Sequence, residues 1–171
     1  MNNLGPKSAS ANVTVKSPTL VRSLLSTSES DSSTNNLYVG EEVVYRTIIN
    51  VPNGTFTLAN YSETINANLQ FLSGSVIASS GSLAFSSGTT FSGATVRFGT
   101  LTNADTDTST TETIIIDTTY RVLKNATSGT NYNNNGTFTY SSTSTASSIA
   151  VNVRKPTITL TKLVSPATAD A

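Results

Sequence analysis

Along much of the chain, hydrophobic and polar residues alternate one for one, the period of a strand with one buried face. Between positions 43 and 51, Val43, Tyr45, Thr47, Ile49 and Val51 share one side, and Val44, Arg46, Ile48 and Asn50 share the other. The same rhythm sets Ile114, Ile116, Thr118, Tyr120 and Val122 opposite Asp117, Thr119 and Arg121. It returns in Phe138 and Tyr140 against Thr137 and Thr139, and in Ile149, Val151 and Val153 against Ala150, Asn152 and Arg154. No long window follows the 3.6-residue period of a helix, so no substantial helix is predicted. Turn signals divide the runs. Asn53-Gly54 follows Pro52, Gly40 precedes a strand opening near Glu41, and Asn135-Gly136 reads as a hairpin signal ahead of the Phe138 strand. Segment 79–93 is open to two readings, with Leu83, Phe85 and Phe91 either in short strands or packing a long loop.

About eight to ten short strands in one unit predict an all-β fold, a two-layer antiparallel β-sandwich of immunoglobulin-like type. Tyr45, Ile49, Phe71, Ile114, Ile116, Tyr120, Val122, Ile149 and Val151 are its expected inward residues. Composition first tests that reading. With 26 Ser, 30 Thr and 17 Asn among 171 residues, the chain could be a low-complexity linker. Against that, 36% of the residues are hydrophobic, and the aromatics are spread through the chain. Thr is β-branched and suits a half-exposed strand face.

Charge and chemistry narrow the function. Ten basic residues balance ten acidic ones, so there is no basic excess to neutralise nucleic-acid phosphates. No apolar run approaches the ~20 residues of a membrane span. The absence of Cys, His and Trp removes disulfides, thiol chemistry, imidazole bases and the usual zinc ligands. Catalysis would need paired carboxylates or a metal, and the acids are scattered, so no enzyme is expected. Asp105 and Asp107 stand two apart with Asn103 and Glu112 nearby, which makes Asp105, Asp107 and Glu112 candidate calcium ligands. The segment lacks the glycine and closing Glu of a regular calcium loop, and a solvated hairpin loop is the competing reading. Tyr38, Tyr61, Tyr132 and Tyr140 lie near predicted strand ends, where they could stack on sugars or close the core with the hydroxyl at the rim.

The chain also repeats itself at its ends. Residues 12–18 read NVTVKSP and residues 150–156 read AVNVRKP. Val13 matches Val151, Val15 matches Val153, Lys16 matches Arg154 and Pro18 matches Pro156, each 138 positions apart. Thr19 then matches Thr157, and SLLS at 23–26 matches KLVS at 162–165 after a one-residue slip. Residues 1–11 therefore read as the end of a preceding unit or a lead, 12–155 as a repeat unit, and 156–171 as the start of the next. A terminal strand without its own sheet exposes backbone groups that must pair with a neighbour. Residues 12–25 or 157–165 are expected to pair across chains or repeats, head to tail, with Val13 and Val15, or Ile158 and Leu160, filling a groove in the next copy.

The stretch 39–76, VGEEVVYRTIINVPNGTFTLANYSETINANLQFLSGSV, resembles the DUF11-type repeat of bacterial surface proteins. VRFGTLTNADTD (96–107), TIIIDTTYRVLKNATSGT (113–130) and VRKPTITLTKLVSPA (153–167) resemble later blocks of that family in the same order. The resemblance implies an immunoglobulin-like repeat in long extracellular proteins, often adhesive or filamentous, with an unnamed cell-surface or matrix receptor. Some related fimbrial domains carry a Lys–Asn isopeptide bond promoted by a buried carboxylate. Here the acidic position is Glu63, where the family favours Asp, and the lysine position falls on Ser23. Lys162, at the start of the next unit, is the remaining cross-link candidate, toward an Asn of a neighbouring molecule. Residues 1–11 are polar and lack an apolar signal core. Low charge and absent Cys suit an extracellular bacterial stalk. A carbohydrate-binding module is the alternative, to be recognised by an exposed aromatic platform.

Overall fold

The computed structural model describes residues 16–29, 35–107, 111–155 and 159–162. Among them are eleven strands and no helix. In chain order these are β1 (Thr19–Thr27), β2 (Asn36–Tyr38), β3 (Glu42–Val51), β4 (Gly54–Thr64), β5 (Leu69–Ser79) and β6 (Leu83–Phe85). There follow β7 (Phe91–Ser92), β8 (Thr95–Asn103), β9 (Glu112–Val122), β10 (Asn131–Tyr140) and β11 (Thr143–Arg154). One sheet has the order β1-β3-β9-β5. The second has the order β2-β11-β10-β4-β8-β6, with β7 also paired to β8. The two sheets form the predicted sandwich. All pairings are antiparallel except that of β2 with β11, a three-residue parallel edge.

The register fixes two poles. Thr19 pairs with Asn50 and Val51 with Glu112, so β1 and β9 begin at the pole where β3 ends. In the other sheet Asn135 pairs with Thr64 and Thr139 with Asn60, so β10 runs toward that first pole and β11 runs back from it. The chain thus enters β1 at one pole and leaves β11 at the opposite one. Strand alternation then decides the core. Every second residue of β3 from Val43 to Val51, and of β9 from Ile114 to Val122, is buried, as the pattern predicts. Of the nine expected inward residues, seven are buried, while Phe71 and Ile149 are half-buried at the margin.

The core is not continuous. Leu20, Ile49, Val51, Phe98, Ile114, Ile116 and Phe138 belong to a cluster toward the first pole. Leu37, Val43, Tyr45, Tyr120, Val122, Val151 and Val153 belong to a second cluster toward the exit pole. Segment 79–93 resolves as short strands: Phe91 of β7 stacks on Phe71 at 6.2 Å and fills the space that a side chain at Gly74 would need.

Asn53-Gly54 makes the expected turn between β3 and β4, with Gly54 at φ 137°. Asn135-Gly136 does not make the predicted hairpin turn. Both residues lie inside β10, where Gly136 pairs with Glu63 on one side and Ser147 on the other. The glycine serves a close approach instead. A Cβ there would lie 2.6 Å from the Tyr61 hydroxyl, which its own hydrogen bonds hold in place. Gly136→Ala is expected to cost about 1–3 kcal/mol in a urea titration, the range of an overpacked core site.

Candidate functional site

Several strands carry polar inward positions near the boundary between the two apolar clusters. Arg22 interrupts Leu20 and Leu24 on β1, Thr47 sits mid-way along β3, and Thr118 mid-way along β9. On the facing sheet, β4 contributes Tyr61 and Glu63. Together they make a polar belt across the interior.

Its centre is an ion pair with neither side chain open to solvent: Arg22 and Glu63 are each 0% exposed and 2.7 Å apart. Arg22 Nη1 lies 2.7 Å from Thr47 Oγ1, 2.7 Å from Tyr61 Oη and 2.9 Å from Glu63 Oε1. Nη2 donates to Glu63 Oε2 and, at 3.4 Å, to Thr118 Oγ1. The carboxylate is further saturated. Tyr61 Oη and Thr118 Oγ1 donate to Oε1 at 2.7 and 2.9 Å, and Tyr120 Oη donates to Oε2. The guanidinium carbon lies 4.6 Å from the centroid of the Tyr45 ring, a cation–π contact. Arg22 Nε, Tyr45 Oη and both amide atoms of Asn134 have no hydrogen-bond partner among the described residues.

Two ions removed from water are costly unless geometry and extra hydrogen bonds compensate. The forked guanidinium meets that demand where a point-like ammonium would not. Burial raises the phenols of Tyr45, Tyr61 and Tyr120 well above their ordinary value, and the Glu63 charge raises them further against the lowering effect of Arg22. All three therefore remain neutral well into alkali, and Tyr61 and Tyr120 remain donors to Glu63. Chemically the belt binds its own charges and leaves none available. Among the described residues Glu63 faces a guanidinium rather than a second carboxylate.

The resemblance sets its lysine position in β1 on Ser23. Ser23 is exposed, and the inward residue that reaches Glu63 is its neighbour Arg22. A guanidinium stays protonated and offers no free amine, so the isopeptide chemistry implied by the resemblance has no lysine at this place. The signal for Arg22 was its phase, two residues from Leu20 and two from Leu24. Nothing local pointed to its partner on β4.

The other candidates lie elsewhere. Asp105 and Asp107 occupy the loop after β8, where Asp105 N bonds to Asn103 Oδ1 and Asp107 N to Asp105 Oδ1. Glu112 opens β9 opposite Val51. Among the described residues, no three His, Cys, Asp or Glu side chains gather to hold a metal ion. Val13, Val15 and Ile158 lie outside the described residues, whereas Leu160 is 93% exposed and Lys162 is exposed. Residues 19–24, expected among those pairing across chains, belong to β1 and pair with β3 of the same chain. Tyr61, Tyr132 and Tyr140 are buried, Tyr38 is half-buried, and no aromatic residue is exposed as a sugar-stacking platform. Outside the belt, Arg46 and Asp117 form a two-bond pair on the outer face of β3 and β9, which raises the Arg46 pKa above its ordinary value.

No protein family's sequence profile matches the chain, and no curated protein matches it. Solved structures do share its architecture. The full-length RrgB pilus protein of Streptococcus pneumoniae superposes with a TM-score of 0.51 at 20% identity, over 73% of this chain and 23% of that one. The T6 backbone pilin of serotype M6 Streptococcus pyogenes gives 0.51 at 15% identity, over 80% of this chain and 36% of the pilin. BcpA, the major pilin subunit of Bacillus cereus, gives 0.50 at 11% identity, over 81% and 40%. The likeness is one of fold, to domains of pilus subunits. This chain spans less than half the length of each. No helix among the described residues is long and apolar enough to cross a membrane.

Proposed function

We propose that this chain is a structural repeat of a bacterial surface protein or filament, of the DUF11 kind, that extends, spaces and adheres outside the cell by stacking head to tail. The observation that carries the reading is the path of the chain, which enters at one pole of the sandwich and leaves at the other. The sequence match of Arg154 to Lys16 and Pro156 to Pro18 makes the exit of β11 read like the lead into β1. Two residues, Lys155 and Pro156, then separate the end of β11 from the position matching the start of β1, so successive units have little slack. The pilus names of the structures sharing this fold support the same reading. Twelve residues in β11 at ~3.3 Å each give about 40 Å of length per unit.

Terminal-strand contact between copies is heterologous and does not close, so it builds a filament. Electron microscopy of the concentrated full chain should show rods with a spacing of about 40 Å. Deleting residues 157–171 should leave a folded monomer that no longer forms them. A full chain that stays monomeric at high concentration, and is unchanged by the deletion, refutes assembly through the terminal strands.

A further inference from the structure

The two end strands have a mechanical relationship. Both β1 and β11 run from the first pole to the second, in different sheets, and they touch along the side of the sandwich where Arg22 N donates to Ser147 Oγ at 3.3 Å. Tension applied through the chain ends draws β1 out through the first pole and β11 out through the second. In an antiparallel ladder the hydrogen bonds lie perpendicular to the strands. Axial tension therefore loads the β1–β3 and β10–β11 ladders in shear, across all their bonds together, rather than peeling them one at a time.

We infer that the Arg22–Glu63 belt is a clamp against this axial tension; the inference rests on the reading of the chain as one unit of a tensioned stalk. Arg22 is on the strand that is pulled first. Its guanidinium holds Thr47 on β3, Thr118 on β9, and Tyr61 and Glu63 on β4, so one side chain ties the end strand to three others in both sheets. The surroundings add a direction to the resistance. A slide of β1 toward the first pole breaks all these bonds together and drives the guanidinium among Ile49, Ile114, Ile116 and Phe138. An unpaired charge in apolar surroundings is heavily penalised, and the abandoned Glu63 is a second such charge. The first step of shear thus meets its largest barrier at the start. Peeling β1 from its end at Thr19 breaks Thr19–Asn50 and Leu20–Ile49 before it reaches Arg22, and so does not begin on the belt.

The test is single-molecule pulling on one unit between inert handles, with two attachment geometries. In the axial geometry the handles join the chain before Thr19 and after Arg154. In the peeling geometry they join before Thr19 and at Asn53, both at the first pole. The variant Arg22→Met with Glu63→Gln removes both charges but keeps one acceptor oxygen in place of the two that Tyr61 and Tyr120 now use. At constant axial force it is expected to unfold about tenfold faster than the native unit or more, forced unfolding being governed by the unfolding rate. Under peeling the initial rupture should differ little between the two. Thr47→Val with Thr118→Val keeps the ion pair, removes its tethers to β3 and β9, and is expected to show a smaller axial loss in the same direction. It also serves as the test if the charge-free variant does not fold. Equal axial unfolding rates for the native unit and the folded variants overturn the clamp, as does an equal loss in both geometries. Because a single unit is pulled, failure of the chain to form filaments would count against the stalk reading without altering this result.

Discussion

Arg22→Ala is expected to destabilise the sandwich by about 3–5 kcal/mol, a large fraction of what holds a domain of this size folded. The lost hydrogen bonds are the smaller part. Removing the guanidinium leaves the Glu63 carboxylate with 0% side-chain exposure and no counter-charge, in a low-dielectric layer between two apolar clusters. It also leaves a void facing the Tyr45 ring, to which the guanidinium carbon now lies 4.6 Å. The charge-free pair Arg22→Met with Glu63→Gln should recover most of the loss, because it removes the desolvation cost of both ions together. Urea titrations of the two variants beside the native chain check this. An Arg22→Ala loss below about 1 kcal/mol, the range of exposed ion pairs, would mean that water reaches the belt.

Above pH 10 the fold is expected to lose stability steeply. Tyr45, Tyr61 and Tyr120 have phenol pKa values raised above the ordinary value of 10.0 first by burial, with the Glu63 charge next at Tyr61 and Tyr120. In the unfolded chain these phenols ionise near pH 10, while in the fold they keep their protons. Their contribution is fully present below pH 10 and declines as pH rises toward the folded values, because the folded state then binds more protons than the unfolded one. Each such group contributes a slope of about 1.4 kcal/mol per pH unit, so the three together give about 4 kcal/mol per unit. Tyrosinate absorbance measured against circular dichroism checks the outcome: the ionisation of these three phenols should coincide with loss of the β signal. If all six tyrosines ionise while the fold stays intact, the belt is not closed.

Alternation was enough to assign the strands and their faces. Residues 43–51 and 114–122 carry their buried positions at every second residue, and a period of two has one structural meaning. The same pattern carried part of the belt, since Thr47 and Thr118 are polar residues in the middle of otherwise apolar inward faces. The register between strands decided that Thr47 stands directly opposite Arg22 and Thr118 one inward position along, opposite Tyr45, both within reach of the guanidinium. Arg22 and Glu63 are 41 positions apart and in different sheets, so no local pattern could pair them. The Asn135-Gly136 reading failed for a related reason. Turn preference is a local term, and here it is outweighed by two flanking ladders and by a tyrosine that needs the missing side chain's space. The fold class and the inward faces are thus properties of the sequence by itself, because the energy of a half-buried strand repeats with each residue. The closing of the belt belongs to tertiary structure alone, because a buried charge finds its counter-charge only when the two sheets come together.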